Sequence, residues 1–171
     1  MVYFTSDQHF GHRGIIEMQK RPFQSVEEMN AKILSNYNQK VRNNDAVYIL
    51  GDICHRMRVS DANDIIGKMN GKKHLLIGNH DKKYDAALFE SICDFRFISL
   101  NGVAMALMHY PMLSWPYKNR NSIQLHGHVH GRRADNEKNR ENGVLRYDVG
   151  VDANEFFPVS IQQIVDFYRN C

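Results

Sequence analysis

The sequence has few of the features that mark secreted or membrane-spanning proteins. Its three cysteines, Cys54, Cys93 and Cys171, are odd in number and have no CxxC spacing. This pattern indicates free thiols in a reducing compartment rather than a disulfide framework. No apolar run approaches the ~20 residues of a membrane span, and a polar motif already begins at residue 7, where a signal peptide would lie. We therefore expect a cytoplasmic protein without a membrane segment.

Proline is also scarce, with four residues, and the net charge is only +3. Such a mild positive charge does not by itself predict nucleic-acid binding, and it is equally compatible with a small anionic substrate. The length of 171 residues and the ordinary balance of 43% hydrophobic and 24% charged residues predict a globular chain with a sizeable core. We expect one domain over residues 1–171.

Histidine is abundant, and most of the nine histidines lie in polar clusters that each follow an apolar run. The clusters are Asp7-Gln8-His9, Gly51-Asp52, Gly78-Asn79-His80-Asp81, His109 and Gly127-His128-Val129-His130. They offer carboxylate, amide and imidazole ligands and no thiolate. This ligand set suits a pair of divalent ions in hydrolytic chemistry.

Each cluster taken alone has an ordinary structural explanation. Asp7 with His9, or Asp52 after Gly51, could belong to a simple turn, and a single His109 at a strand end is more often a hydrogen-bonded structural residue. The last cluster is more specific, because His128 and His130 fall on the same side of an extended segment. Five clusters in series, all at strand ends, favour the metal site over five coincidences.

The apolar runs predict the organisation around these clusters. Strands are predicted at 2–5, 46–50 and 74–77 and helices at 14–20, 25–41 and 60–70, a rhythm typical of βαβ units with ligands beyond the carboxyl ends of the strands. Later strands are predicted at 95–100, 103–108, 123–125 and 144–149, with Asn101-Gly102 as a hairpin turn. We expect an exposed hairpin loop at 132–142 and a closing helix at 160–170, giving an α/β fold of two sheets packed between helices.

The motif series resembles that of the calcineurin-like metallophosphoesterase superfamily, in which D-x-H, G-D, G-N-H-(D/E), H and G-H-x-H occur in this order. The series is complete over positions 7–130, and the length is similar to that of small, single-domain bacterial and phage members. The resemblance implies a four-layer αββα sandwich of two mixed sheets. Its metal site would lie at the C-terminal ends of the strands.

The resemblance also implies a role for each residue. Asp7, His9 and His130 would hold one ion, Asn79, His109 and His128 the other, and Asp52 would bridge them. A hydroxide shared by the two ions would attack a phosphodiester or phosphomonoester, with His80 as general acid near the leaving group. Members of the superfamily use Mn, Fe, Zn, Ni or Co, and nitrogen and oxygen ligands favour manganese first.

The second motif departs from the phosphoprotein phosphatase pattern G-D-x-x-D-R-G. His55 stands where that pattern has its second Asp, so the group that orients His80 is left open and a protein phosphatase is disfavoured. Arg56 keeps the arginine position and is a candidate phosphate clamp or a solvated surface residue. His12 and Arg13, at the start of the helix predicted over 14–20, are either an anion site or an exposed pair.

Three functions remain open from the sequence. The first is a hydrolase of a small phosphoester substrate. The second is a nuclease of the same superfamily, whose groove would need basic and aromatic residues such as Trp115, Tyr117, Lys118, Arg120, Arg132 and Arg133. The third is a non-catalytic scaffold, which a missing ligand would mark, and none is missing. The substrate and the oligomeric state stay open.

Overall fold

The computed structural model describes residues 1–100 and 102–169. In chain order its main elements are β1 (Val2–Thr5), α1 (Arg13–Met18), α2 (Val26–Lys40), β2 (Ala46–Ile49), α3 (Val59–Gly67), β3 (Lys72–Leu76), β4 (Ser91–Cys93), β5 (Phe95–Leu100), β6 (Val103–Met108), β7 (Ile123–His126), α4 (Arg133–Glu141), β8 (Arg146–Asp148), β9 (Val159–Ser160) and α5 (Ile161–Arg169).

The strands form two mixed sheets. The first has the order β4-β3-β2-β1-β9, and all its neighbours are parallel except the short β9. The second has the order β5-β6-β7-β8, with β5 antiparallel to β6 and the other pairs parallel. The predicted α/β fold with two packed mixed sheets is confirmed.

Alternation along the strands divides the core into two layers. In β2, Val47 and Ile49 face a cluster with Met29 and Ile33 of α2, because successive side chains point to opposite faces of a sheet. On the other face, Phe4 and Leu50 join Leu107 and Leu125 of the second sheet. The two sheets therefore pack face to face through an apolar layer. This layer holds together the carboxyl ends of β1, β2, β3, β6 and β7.

An isolated parallel bridge between Ser6 and Gly150 ties the end of β1 to the end of β8. Ser6 directly precedes Asp7, and Gly150 lies two residues after the end of β8. The two sheets are thus joined at the edge where the polar motifs lie. This junction is the structural frame of the site described below.

The predicted helices are present with shifted ends. Ser25 caps α2 by accepting a hydrogen bond from the Glu28 N–H at 3.1 Å, while the Glu28 carboxylate accepts from the Gln24 N–H at 2.7 Å. The third helix ends at Gly67 rather than at residue 70.

The predicted Asn101-Gly102 turn lies partly outside the described residues, since Asn101 is not among them, but its flanks pair as Leu100 with Val103.

The expectation of a hairpin loop over 132–142 is wrong, because most of this segment is the helix α4. The sequence of this helix has no apolar stripe, so hydrophobic periodicity does not predict it. It docks instead through Asn136, whose amide donates to the Asp148 carbonyl at 3.0 Å and accepts from the Asp148 N–H at 2.7 Å. The buried Asn136 amide thus pairs with the backbone N–H and carbonyl of Asp148 at the outer edge of β8.

Cys54 and Cys93 are free thiols, and Cys171 lies outside the described residues, as does Asn170 at the end of the predicted closing helix. Burial raises the pKa of the Cys54 thiol to about 12, which makes it unreactive. Within residues 1–100 and 102–169, no helix is long and apolar enough to cross a membrane.

Candidate metal centre

The first motif begins two residues beyond the end of β1. Asp7 and His9 are almost fully buried, although they lie in a loop. Their backbone is fixed by the neighbouring second motif, since Asp7 N–H donates to the Gly51 carbonyl at 3.0 Å and His9 N–H donates to the Asp52 carbonyl at 3.1 Å. The adjacent parallel strands therefore bring the first two motifs together.

Asp52 occupies the middle of the site. Its Oδ2 lies 3.6 Å from His9 Nε2 and 3.5 Å from His109 Nε2, and its Oδ1 accepts a hydrogen bond from the His80 N–H at 2.8 Å. One carboxylate oxygen is thus equidistant from imidazoles that belong to different sheets. This is the position that a bridging carboxylate would take.

On one side of Asp52, the Asn79 Oδ1 atom lies 3.0 Å from His109 Nε2 and 3.0 Å from His128 Nδ1. His109 Nδ1 donates to the Leu50 carbonyl at 2.7 Å, so its Nε2 carries the lone pair. Three nitrogen and oxygen donors from β3, β6 and β7 therefore converge. Asn79 is exposed and His128 is half-buried, so this side of the site opens to solvent.

On the other side, Asp7, His9 and His130 each place one ligand atom within 4.8 Å of the others. Asp7, Asp52 and His109 form a second group by the same measure. His128 also contributes its backbone, because its N–H donates to Asp7 Oδ2 at 2.9 Å. The structure therefore brings together all seven residues that the sequence predicts as ligands.

The buried atoms of this centre fit a bound cation. Asp7 Oδ1 and His9 Nε2 have negligible solvent exposure and no hydrogen-bond partner among the described residues. A buried polar atom without a partner is costly, and a carboxylate oxygen beside an imidazole nitrogen is a standard pair of donors for Mn²⁺, Fe²⁺ or Zn²⁺.

The pKa values of the metal-free protein reflect the same burial. Desolvation raises the pKa of Asp7 to about 8 and lowers the pKa of His9 to about 2. Burial alone would lower the pKa of His130, but its hydrogen bond to Asp152 and the nearby carboxylates raise it above the ordinary value. A bound cation would favour the ionised form of the Asp7 carboxyl over its protonated form.

Five of the seven candidate ligands have left-handed backbone conformations. Their φ angles are 59° at Asp7, 53° at His9, 56° at Asp52, 71° at His128 and 48° at His130. A non-glycine residue pays a steric cost in this region, and such residues concentrate at functional sites where the surrounding fold enforces them.

Two glycines permit the close approach of these loops. A Cβ on Gly78 would overlap Asp52 Oδ1, and a Cβ on Gly127 would overlap Ser6 Oγ and Asp7 Oδ2. In both places the glycine of one motif packs directly on the aspartate of another. The glycines that precede Asn79 and His128 are therefore required by the approach of neighbouring motifs.

Several positioning residues were not predicted. Asp81, noted in the sequence only as part of its motif, accepts from the Asp52 and Gly78 N–H groups with Oδ2 and from the Ile53 N–H with Oδ1. Asp148 accepts from the N–H groups of Gly131 and Gly150. Asp148 is the last residue of β8 and Asp152 lies four residues beyond it, so acidic residues again stand at the end of a strand, and this recurrence is the signal that could have found them.

A buried ion pair was missed as well. Arg21 and Asp152 are joined by a bidentate contact, with Arg21 Nε 2.9 Å from Asp152 Oδ1 and Nη2 2.8 Å from Oδ2. Asp152 Oδ2 also lies 2.8 Å from His130 Nδ1. The partners are 131 residues apart, and no motif in the sequence links them.

The candidate catalytic residue His80 lies at the solvent-exposed rim, with its ring centroid 5.5 Å from that of His9. His55 is beside it, in edge contact at 4.6 Å, and its own pKa is lowered by burial to about 4. His12 stacks on His55 at 3.9 Å. Three imidazoles outside the ligand set therefore form one wall of the site.

The other predicted substrate-binding residues differ in placement. His12 accepts from the Ile15 N–H through Nδ1, which leaves its Nε2 free of that bond. Arg56 is exposed and near enough that its charge contributes to lowering the pKa values of His12 and His55, after burial and the neighbouring imidazoles. Arg13 is exposed and has no hydrogen bond to the candidate ligands in the described ranges.

Comparison with known proteins agrees with this architecture. Two packed mixed sheets with an Asp, Asn and His centre at their common edge define a metal-dependent phosphoesterase. The chain matches the model of the calcineurin-like phosphoesterases over residues 1–140, and it belongs to that family.

Three similar proteins illustrate the relationship. The uncharacterized protein MJ1445 of Methanocaldococcus jannaschii is 34% identical, over 96% of this chain and 89% of that protein. The crystal structure of AQ665 from Aquifex aeolicus, a protein of unknown function, superposes with a TM-score of 0.77 at 28% identity, covering 97% and 98% of the two chains. A novel archaeal phosphodiesterase has the same fold, with a TM-score of 0.52 at 16% identity, covering 87% of this chain and 82% of that one.

Proposed function

We propose that this protein hydrolyses a small phosphoester with two divalent ions held between its sheets. The observation that carries the proposal is the position of Asp52 Oδ2, 3.6 Å from His9 Nε2 and 3.5 Å from His109 Nε2. A carboxylate oxygen at nearly equal distance from two donor groups supports a dinuclear centre rather than a single ion. We treat residues 1–171 as one catalytic domain.

In this proposal Asp7, His9 and His130 hold one ion, Asn79, His109 and His128 hold the other, and Asp52 bridges them. When bound, the ions would neutralise charge on the phosphoryl oxygens and supply a water of lowered pKa as the nucleophile. Manganese is our first expectation because the donors are nitrogen and oxygen, and Fe, Zn, Ni and Co are alternatives.

His80 has the role of general acid at the leaving-group oxygen. Its backbone is held by the N–H bond to Asp52 Oδ1, while its side chain stays at the exposed rim where a substrate would enter. His12 and Arg56 lie on the same wall and are our candidates for contacts with the substrate phosphate or its substituent. Arg13 is retained as a more distant candidate.

The nuclease alternative gains no support from the aromatic loop. Trp115 is 5% exposed and donates its indole N–H to the Ser122 carbonyl at 3.0 Å. Its side chain therefore packs within its own loop. Tyr117 is exposed but packs on Phe97 at 5.3 Å. A stacking platform for bases would need such rings to face the metal site.

The test combines metal analysis with turnover. The protein is stripped with a chelator and titrated with Mn²⁺, and hydrolysis of bis(p-nitrophenyl) phosphate and p-nitrophenyl phosphate is measured. We expect two ions per chain and metal-dependent hydrolysis of at least one ester. We expect Asp52→Asn to weaken metal binding and lower turnover by more than about a hundredfold, since even second-layer residues of metal sites cost 10- to 100-fold.

Asp61→Asn is the matched control, because the Asp61 carboxylate is paired with the exposed Arg58 and Ser60. It should leave metal content and turnover unchanged. Absence of bound metal and of metal-dependent hydrolysis in the parent protein would refute the proposal. Faster cleavage of single-stranded DNA than of either small ester would replace it with the nuclease alternative.

A further inference from the structure

Arg21 and Asp152 form a buried ion pair outside the candidate ligand set. Both side chains are inaccessible to solvent. A buried ion pair is a weak source of stability, because desolvation offsets much of the Coulomb attraction, and apolar residues of similar volume often replace such a pair without loss. Its presence at this position therefore points to a role beyond general stability.

Arg21 also donates two hydrogen bonds to the first motif, besides one from Nη1 to the Met29 sulfur at 3.4 Å. Nη2 donates to the Asp7 carbonyl at 2.8 Å, and Nη1 donates to the Gln8 carbonyl at 2.9 Å. The guanidinium thus fixes the backbone that carries Asp7. On its other side it holds the Asp152 carboxylate, which in turn lies 2.8 Å from His130 Nδ1.

We infer that Arg21 and Asp152 form a positioning relay for one of the two ions, an inference that rests on the proposed function. Asp152 accepts the His130 Nδ1–H, which directs His130 Nε2 toward the ion shared with Asp7 and His9. Carboxylates behind a ligating histidine fix its tautomer and ring orientation in this way. Arg21 binds both Asp152 and the Asp7 backbone. It therefore fixes the position of His130 relative to Asp7.

The relay serves only one side of the centre. Behind His109 lies the carbonyl of Leu50, and the Nδ1 of His128 faces Asn79 Oδ1. Neither is in direct contact with Arg21 or Asp152 within the residues that the structure describes. Loss of the relay is therefore expected to weaken one ion selectively, whereas loss of Asp52 is expected to affect both.

The experiment uses the full chain with Asp152→Asn and Arg21→Lys. The controls are Asp61→Asn and Arg58→Lys, which alter the exposed pair with the same bidentate geometry, at 2.9 and 3.0 Å. Mn²⁺ is titrated calorimetrically into metal-free protein, and Co²⁺ absorption reports the coordination of each ion. We expect one of the two affinities to fall about 10- to 100-fold, the other to change less than about twofold, and the controls to match the parent.

Thermal unfolding of the metal-free variants separates positioning from general stability. A purely structural role would lower the melting temperature and leave both metal affinities and the Co²⁺ spectrum as in the parent, and that result would overturn the inference. Equal weakening of both ions would also overturn it. Arg21→Lys keeps a buried cation near Asp152 and serves as the milder variant if Asp152→Asn does not fold.

Failure of the inference differs from failure of the proposed function. If the parent binds two ions and both relay variants bind them equally well, only the relay is wrong. If the parent itself binds no ion, the proposed function is wrong and the relay falls with it.

Discussion

The rings of His55 and His80 meet edge to face, with centroids 4.6 Å apart and planes inclined by 66°. His55 also stacks on His12, with ring centroids 3.9 Å apart. His55 Nδ1 is buried and has no hydrogen-bond partner among the described residues, so its contact with His80 is through packing. In this chain an imidazole stands where the phosphoprotein phosphatase pattern places an aspartate.

We therefore predict that His55 positions His80 by contact. His55→Ala should retain both ions, leave KM nearly constant and lower kcat about 10- to 100-fold, because small displacements of a catalytic group cost this much. His55→Phe, which keeps an aromatic ring, should recover part of the loss. His74→Ala is the control, since His74 pairs with Ser91 on β3 and β4. An unchanged kcat in His55→Ala would contradict the prediction.

Removal of His80 should separate metal binding from proton donation. His80→Ala is expected to keep both ions and to lower turnover by about 10²–10⁴-fold, the usual contribution of a general acid. The loss should be largest for an alkyl ester, whose leaving group needs a proton, and small for a p-nitrophenyl ester. Rates for the two ester types are compared in parent and variant. An equal loss on both would remove His80 from the role of acid.

Metal affinity should rise with pH up to about 8. In the metal-free protein burial raises the pKa of Asp7 to about 8, so a proton occupies this ligand at neutral pH, while His9, with a pKa lowered by burial to about 2, is already neutral. An incoming ion must displace the Asp7 proton, so affinity should fall about tenfold for each pH unit below 8. Calorimetric titrations at pH 6.5 and 8 test this, and equal affinities would contradict it.

The same shifts set the sign of the stability change. Between about pH 6.5 and 8, folded Asp7 binds a proton that the unfolded chain, with an ordinary pKa of 3.8, does not. The metal-free protein should therefore lose stability as pH rises through this window, and the raised pKa of His130 acts in the same direction. Below pH 6.5 the neutral His9 opposes the trend. Saturating Mn²⁺ should abolish the decline in melting temperature.

Gly127→Ala should damage the site through sterics. The added Cβ would overlap Ser6 Oγ and Asp7 Oδ2, and forcing a methyl group into a close-packed interior costs about 1–3 kcal/mol. We expect lower stability and weaker metal binding together. Gly67→Ala is the control, because its Cβ would meet Leu88 Cδ2 at the ordinary contact distance of 4.0 Å, so stability and Mn²⁺ affinity should stay near those of the parent. Normal Mn²⁺ affinity in Gly127→Ala would contradict the prediction.

The sequence was sufficient for the features that depend on local pattern. The strands that end at Asp7, Asp52 and Asn79 are apolar runs, and parallel pairing necessarily gathers their carboxyl ends at one edge of the sheet. The face-to-face packing of the second sheet then brings His109 and His128 to the same edge. Once the two sheets pack face to face, the local pattern therefore predicts that the candidate ligands gather at one edge.

Other features depend on contacts that no local pattern encodes. Helix α4 has no apolar periodicity, and its docking depends on the one amide of Asn136. From the sequence, Trp115 is a candidate for a basic, aromatic groove. In the structure its indole N–H instead donates to the Ser122 carbonyl within the same loop. Arg21 and Asp152 meet across 131 residues, and a lone arginine and a lone aspartate so far apart carry no signal of pairing.

The contact between His130 and Asp152 has a consequence for how the protein is made. During synthesis, every residue of the five motifs has been added once the ribosome passes position 130, and the family match itself ends at residue 140. The carboxylate that contacts His130 is encoded 22 residues later than the histidine, beyond α4 and β8. In the relay inferred above, a nascent chain therefore carries all seven candidate donors before the carboxylate that orients His130 has been added.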